Sequence, residues 1–453
     1  MYYHINGVTL MQKIIKLMVQ CVDASTGYMI EEVVINEETL SKAETLKGLG
    51  HLHIEQIGFL QKIQDFKLKH QIILNNISIC PICTTKTTKS GLFTSNFHAA
   101  LTDHRVTVQR TQCKCGWRSP TSVEGVFGSD MHPDLLKKQA LQGSKESYKK
   151  AGATLNAESG NLRPVNNHTQ VYRSVELVST KLELVKISKP HNINEQSAEL
   201  IVNIDGGHIK SRGEHRSFEA MIATVYQPGK LKFVDKNHNI ITSKTIVASA
   251  KDDTQKTIKS LLKNACMVQG MDKETIITCL ADGADNCRSI AYSIRPYCKE
   301  VVYILDWFHL SMKFKNIAVP KEYYKLFEKI KWHLWHGDHA KALLRLKEFK
   351  KLKLIAEDKS LLIKLNKLSI YISNNVLGIV SYESRYNSGL VFTSNVAEST
   401  VNNLINDRQK GKQQMLWSRD GAHNVLQIRA SVSSNSWDSD WQYVELEVYK
   451  KVA

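Results

Sequence analysis

The run Glu199-Leu-Ile-Val-Asn-Ile-Asp205-Gly-Gly-His-Ile209 constrains the fold more than any other stretch of the chain. A nearly unbroken apolar, β-branched segment has no face to offer water, so it predicts a strand buried on both sides of a sheet. It closes on Asp205 and two glycines. The strand therefore delivers a carboxylate to the point where the backbone leaves the sheet.

The next hundred residues extend that strand into a sheet. Residues 218–226 and 240–249 read as two more strands, the first closed by the Pro228-Gly229 turn signal. Ile258, Leu261, Leu262 and Ala265 then recur at helical spacing, with Gly270 placed to end the helix. A fourth strand, 275–282, again ends on an acid followed by glycine, and a short helix stopped near Pro296 leads to a fifth, 301–309. The order β-β-β-α-β-α-β, with acids closing strands one and four, predicts a multidomain α/β protein built on a ribonuclease-H-like core. Fold class alone does not settle function.

Composition bounds the partners. A formal charge of +17 and a pI near 9.3 favour an anionic partner, nucleic acid before an anionic membrane surface. No stretch approaches 18 consecutive apolar residues, and the N-terminus lacks the order of a signal peptide. The expectation is an intracellular protein. Residues 1–75 read as an α+β region to which no function is assigned.

Cys80, Cys83, Cys113 and Cys115 form two close pairs separated by a hairpin-like stretch. Two thiolate pairs on tight turns can close a tetrahedral zinc shell, and Gly116 suits a turn whose backbone approaches the metal. A structural zinc-ribbon-like module over 76–120 is expected. The second pair has a single spacer residue, so His98 or His104 could take a cysteine's place. Disulfides are the alternative, disfavoured in a reducing compartment.

Residues 130–185 hold two helical segments, 144–158 and 166–180, broken at Ser159-Gly160-Asn161-Leu-Arg-Pro164. A helix-turn-helix in a basic protein suits major-groove reading, with Asn167, His168, Gln170 and Arg173 near the start of the second helix. An ordinary helical hairpin accounts for the pattern equally well.

Beyond the fifth strand, residues 316–385 read as an all-helical insertion rich in Lys and Leu. Trp332, Trp335 and His336 sit there at helical spacing, more as core than as site; exposed tryptophans could stack on an unpaired base. The segment 390–453 returns to the core. In it, Asn395 and Glu398 have capping-box spacing, yet Glu398 shares a helical face with Val401 and Ile405, where a carboxylate needs a partner or a metal. Arg408, Lys410 and Lys412 are suited to phosphate contacts.

Asp205-Gly-Gly-His208, Leu280-Ala-Asp282-Gly-Ala284, Ile304-Leu-Asp306-Trp-Phe-His309, Val396-Ala-Glu398-Ser399, Arg408-Gln-Lys410 and Met415-Leu-Trp417 together resemble a bacterial insertion-sequence DDE transposase, in the branch related to Mutator-like transposases. The resemblance covers essentially the whole chain, and the order and spacing of the motifs are more specific than any one of them. It implies a DNA transposase that binds element ends, cleaves, and transfers a 3′-hydroxyl into target DNA. Asp205, Asp282 and Glu398 would hold two Mg²⁺ (or Mn²⁺) for in-line phosphoryl displacement. Asp285 and Asp306 compete for the second place; the resemblance favours Asp282 and puts Asp306 and His309 near the site but outside the triad. It further implies a homodimer or larger assembly on DNA, in bacterial cytoplasm at the nucleoid. The alternatives are a nuclease on the same fold that cuts without joining, and a DNA-binding derivative whose chemistry is lost.

Overall fold

The computed structural model describes residues 4–5, 8–9, 13–40, 57–71, 77–188, 190, 192–213, 216–235, 238–394, 402–410 and 415–449. The chain divides into two compact units, one of residues 1–143, 148–174 and 445–453, the other of 144–147 and 175–444.

The second unit is a mixed α/β domain around five strands: β1 (Glu199–Lys210), β2 (Ser217–Tyr226), β3 (Thr245–Ser249), β4 (Ile276–Ala281) and β5 (Glu300–Leu305). Their order is β3-β2-β1-β4-β5. The first three form an antiparallel meander, and β4 and β5 run parallel to β1. β1 is thus central, and Leu200, Ile201, Val202 and Ile204 are all buried, as their apolar run requires.

Side chains alternate between two cores. Leu200, Val202 and Ile204 pack with Ile277, Cys279 and Val301 under α1 (Lys256–Val268) and α2 (Asp285–Tyr292). Ile201, Leu280 and Ile304 face the opposite layer, which contains α3 (Trp307–Lys315), α4 (Tyr324–Trp335), α5 (His339–Phe349), α6 (Lys359–Asn374) and α7 (Tyr382–Asn387). Edge strand β3 is covered by α8 (Arg419–Ser433): Gln427 Nε2 donates to the Ala248 carbonyl at 2.6 Å, and Ser434 Oγ accepts from the Ile246 amide at 2.8 Å. Backbone groups that would be free at the sheet edge are satisfied there.

Three strand expectations are corrected. The first strand does not close on Asp205: β1 runs on to Lys210, paired beyond Ile204 with β2 and no longer with β4. Residues 240–249 are not one strand: His238–Ile241 pairs with Leu231–Asp235 in a separate hairpin, the Thr242 amide bonds the Lys230 carbonyl at 2.9 Å, and the sheet resumes only at Thr245. Residues 301–309 are not all strand either, because Asp306 caps α3, accepting from the Phe308 and His309 amides at 3.2 and 3.4 Å.

The first unit holds two hairpins, Lys13–Val22 with Met29–Leu40 and Thr88–His98 with Asp103–Gln112, and the helices Ile57–Gln71, Pro133–Lys145 and Tyr148–Ser159. A turn at Pro164–Asn166 leads into the helix His168–Ser188, longer than the 166–180 expected. A Cβ on Gly152 would lie 2.1 Å from the Asn166 carbonyl oxygen, so only glycine lets the first helix of this pair meet the turn so closely.

Candidate active site and zinc centre

Register places three acids at one level. Ile204, Ala281 and Leu305 are paired neighbours on β1, β4 and β5, so Asp282 and Asp306 follow the ends of β4 and β5 while Asp205 stands beside them within β1, at the point where its pairing with β4 stops. Period-two alternation puts all three on the face shared by Ile201, Leu280 and Ile304. Their electrostatics reflect the crowding. Burial pushes the Asp205 carboxyl up, His309 and the Gly206 amide pull it back, and the charges of Asp282 and Asp306 raise it again, leaving it above the ordinary aspartate range. A cation beside Asp205 would relieve both influences that raise it.

The three acids are held differently. Asp306 is fully buried and saturated: besides the cap bonds, its carboxylate accepts from the Ser394 amide at 2.8 Å and Ser394 Oγ at 2.6 Å, and meets His309 Nδ1 at 2.6 Å. Burial pushes Asp306 up, but the hydrogen bonds from His309 and Ser394 outweigh it and keep the carboxylate below its usual range. His309 responds in the opposite sense. Burial lowers it, and the bond and charge of Asp306, with the charges of Asp205 and Asp282, raise it above the free imidazole value.

Asp282 has more freedom. One oxygen accepts from the Ala284 amide at 2.9 Å, and the side chain is half-buried. Its turn is gripped from α6: Tyr371 Oη donates to the Asp282 carbonyl at 2.7 Å, and a Cβ on Gly283, whose φ is +88°, would fall 2.5 Å from the Asn375 side chain. Asn375 is itself held by Arg288 at 2.9 Å and by the Tyr371 carbonyl at 2.9 Å. Asp285 points to solvent, 96% exposed and paired with Arg288, away from the other acids.

Glu398 and Lys412 lie outside the described residues. The chain on either side of Glu398 is described. Ser394 is anchored on Asp306, and Ile405 lies against β1, its Cδ1 2.6 Å from where a Gly207 Cβ would be, with Lys410 Nζ at 3.7 Å from the same point. Ser394 thus stands at Asp306 and Ile405 against β1 two residues beyond Asp205. Arg408 does not serve as a phosphate contact: it is fully buried, 4.7 Å over the Trp417 ring and 3.6 Å from the Met415 sulfur. Its motif neighbours are its packing partners. Among the described residues no three carboxylates or histidines are close enough to share an ion.

The four cysteines do form such a group, with all sulfurs within 4.8 Å of one another. Cys80 and Cys115 are 3.6 Å apart and Cys83 and Cys113 3.3 Å, close to the roughly 3.8 Å edge of a tetrahedron with 2.3 Å zinc–sulfur bonds. None is in a disulfide. Each pair sits on a knuckle whose next residue is left-handed, Thr84 at +57° and Gly116 at +94°. The thiols diverge: the Thr85 hydroxyl and amide hold Cys83 low, whereas Cys115, despite the Trp117 amide, is driven up by neighbouring sulfurs. Four crowded thiolates call for a dication, and this donor set fits structural zinc. His98 and His104 are not ligands; His98 meets Asp103 at 2.7 Å and His104 meets Asp65.

In the helix pair, Asn167 caps the second helix, accepting from the Thr169 and Gln170 amides at 2.9 and 3.0 Å, while His168 and Arg173 are exposed. Trp332 is 53% exposed; Trp335 is half-buried and reaches Trp307, beside Asp306, at 4.9 Å between ring centroids. No helix among the described residues is long and apolar enough to cross a membrane.

No protein-family model and no curated protein matches this chain. Among solved structures, the Drosophila P element transposase strand transfer complex aligns over 69% of this chain and 80% of that chain, at 11% identity and a TM-score of 0.25, a likeness too low to carry a functional argument.

Proposed function

We propose that this chain is a DDE-type DNA transposase, binding the ends of a mobile element and catalysing metal-dependent strand cleavage and 3′-hydroxyl transfer into target DNA. The observation that carries the reading is the register that sets Asp205, within β1, beside Asp282 at the end of the adjacent parallel strand β4, in a β3-β2-β1-β4-β5 sheet whose first three strands are antiparallel. That order and those directions are what a ribonuclease-H-like core requires.

In this reading Asp205 and Asp282 hold divalent metal, with Glu398 as the third ligand. Bound Mg²⁺ supplies activation of the attacking oxygen and charge stabilisation at the leaving oxygen. The protein's share is placement. β1 and β4 fix the two carboxylates, Tyr371 and Asn375 hold the Asp282 turn, and Asp306 anchors Ser394 at the entry to the segment carrying Glu398. His309, whose protonated form Asp306, Asp205 and Asp282 favour, offsets part of their repulsion when it is charged. Arg173, Lys410 and Lys412 are assigned to phosphate contacts, the helix pair to reading element ends, and zinc to the four cysteines. A homodimer or larger assembly at the bacterial nucleoid, with the domain limits drawn from sequence, completes the proposal.

The test is cleavage and joining by purified protein on DNA carrying the flanking element ends, in Mg²⁺ and in EDTA, beside Asp205→Ala, Asp282→Ala and Glu398→Ala. Joined products lost with EDTA and in each variant support the transposase. Cut but unjoined DNA identifies a nuclease, and binding without either reaction identifies a DNA-binding derivative.

A further inference from the structure

The zinc-bearing hairpin of the first unit has two unlike faces. Residues of one face, Phe97, Val106 and Val108, pack with Val123 and Val126 of the short helix Val123–Phe127. On the other face Lys89, Leu92, Thr94, Asn96, Arg105 and Thr107 are all exposed. Asn96 stands opposite Arg105 and Thr94 opposite Thr107 in the antiparallel register. No described residue bonds the side chains of Lys89, Asn96 or Arg105.

Charge is equally one-sided. From residue 77 to 122 there are six cations (Lys86, Lys89, Arg105, Arg110, Lys114, Arg118) and one acid, Asp103. Asp103 is already engaged by Arg163 at 2.6 Å and His98 at 2.7 Å. Even a zinc tetrathiolate, with a net charge near −2, leaves the hairpin positive. Along one flank, a groove of about 460 Å³ beside the helix Ile57–Gln71 is lined by Lys69, Lys89 and Arg105, with Lys69 paired to Glu31.

We infer that this open face is a double-stranded DNA-reading ribbon that enters the major groove, with Asn96 and Arg105 toward base edges and Lys89 toward phosphate. The inference rests on the DNA-binding part of the proposed function and adds a reading surface separate from the helix pair. The groove of B-form DNA, about 12 Å wide, admits a two-stranded ribbon. Asn and Arg are the side chains whose donor and acceptor geometry matches adenine and guanine edges, and flanking cations fix register on the backbone. An anionic protein or membrane would be served by cations alone; a cross-strand Asn96–Arg105 pair beside the Thr94–Thr107 pair adds hydrogen-bonding capacity suited to base edges. A-form RNA, with its deep and narrow major groove, would exclude the ribbon.

The experiment uses the full-length, zinc-loaded protein and fluorescence anisotropy across a salt series. The probes are a mixed-sequence DNA duplex, an RNA duplex of matching sequence, and vesicles containing phosphatidylserine; a site selected from a random DNA pool supplies the specific target. Lys89→Ala/Arg105→Ala should weaken duplex DNA binding about tenfold and flatten the salt dependence by roughly one unit of log–log slope per phosphate contact removed. Asn96→Ala should leave mixed-sequence binding unchanged and lower preference for the selected site about fivefold or more. Zinc content and circular dichroism equal to the parent establish that each variant is folded. A folded variant set that binds DNA like the parent, while Arg173→Ala loses affinity, overturns the ribbon and spares the DNA reading. Equal binding to RNA or to vesicles overturns the ribbon as well. A parent that binds no DNA duplex at all overturns the proposed function itself.

Discussion

Tyr371 on α6 donates its hydroxyl to the backbone carbonyl of Asp282 at 2.7 Å, joining the helical insertion to the end of β4. Strong burial raises the Tyr371 phenol well above its ordinary value, so it stays a donor at every working pH. Tyr371→Phe removes this bond from a half-buried carbonyl, at a cost of about 1 kcal/mol. Because the loss is felt first by the Asp282 turn, the variant should remain folded yet cleave DNA roughly tenfold more slowly, with a raised Mg²⁺ requirement. A metal titration of cleavage rate reads this; an unchanged requirement would leave Tyr371 as packing only.

Asp205 gives a prediction about stability. Burial and neighbouring acids raise its folded pKa, so the protonated form is favoured in the folded state. This contribution is fully present below the unfolded value near 3.9 and is lost as pH rises through the folded value. Ionisation of Asp205 therefore works against the metal-free fold. Asp205→Asn should raise the Tm of metal-free protein and abolish the stabilisation that Mg²⁺ or Mn²⁺ gives the parent, as measured by thermal denaturation at pH 7 with and without metal. A Tm that falls, with the metal response intact, would place the ion elsewhere.

The Asp306–His309 pair has two limbs. Asp306 is held low in the fold, so its contribution is present above the unfolded value near 3.9 and lost as pH falls through the folded one. His309 is held high, so its contribution is complete below about 6.5 and lost as pH rises through its folded value. His309→Gln should flatten the alkaline limb of a Tm-versus-pH curve and shrink the acid limb without removing it, because His309 and Ser394 together hold Asp306 low. Asp306→Ala, which orphans Ser394 and His309 in the core, should cost roughly 3–5 kcal/mol, measured by urea unfolding.

Much of this architecture is legible in sequence because it stems from period and punctuation. The apolar run before Asp205 has no other place than the middle of a sheet, and the Asp282-Gly283 step marks a strand end, whereas Asp205-Gly206 does not, because pairing with β2 carries β1 on to Lys210. The cysteine knuckles announce themselves through spacing and through Gly116 after the second pair; the left-handed Thr84 after the first is seen only in the structure. What the sequence hides is partnership across distance. Nothing local tells that Arg408, in a basic stretch, folds inward onto Trp417, because a cation at helical spacing looks the same whether it faces solvent or an indole. The capping role of Asp306 is written locally, in a strand that ends on an acid before a helix. Its bonds to Ser394, 88 residues later, are not. Tyr371 and Asn375 escape for the same reason: they matter through a turn 89 residues upstream of the tyrosine.

The zinc centre offers the most direct measurement. Four sulfurs within 4.8 Å, none oxidised, would repel as thiolates, and the two knuckles have little apolar surface to hold them together. The hairpin they tie has a core of only three buried apolar residues, Val106, Val108 and Val123. A module with so small a core depends on its metal for folding energy. The purified protein should contain one zinc per chain by mass spectrometry. Chelation should expose four thiols to a colorimetric reagent, with a low-temperature unfolding step lost from the first unit, while the second unit melts as before. Cys80→Ser, which removes the most deeply buried ligand, should reproduce the chelated state. Full retention of both unfolding steps after complete zinc removal would show that the cysteines hold the hairpin without metal.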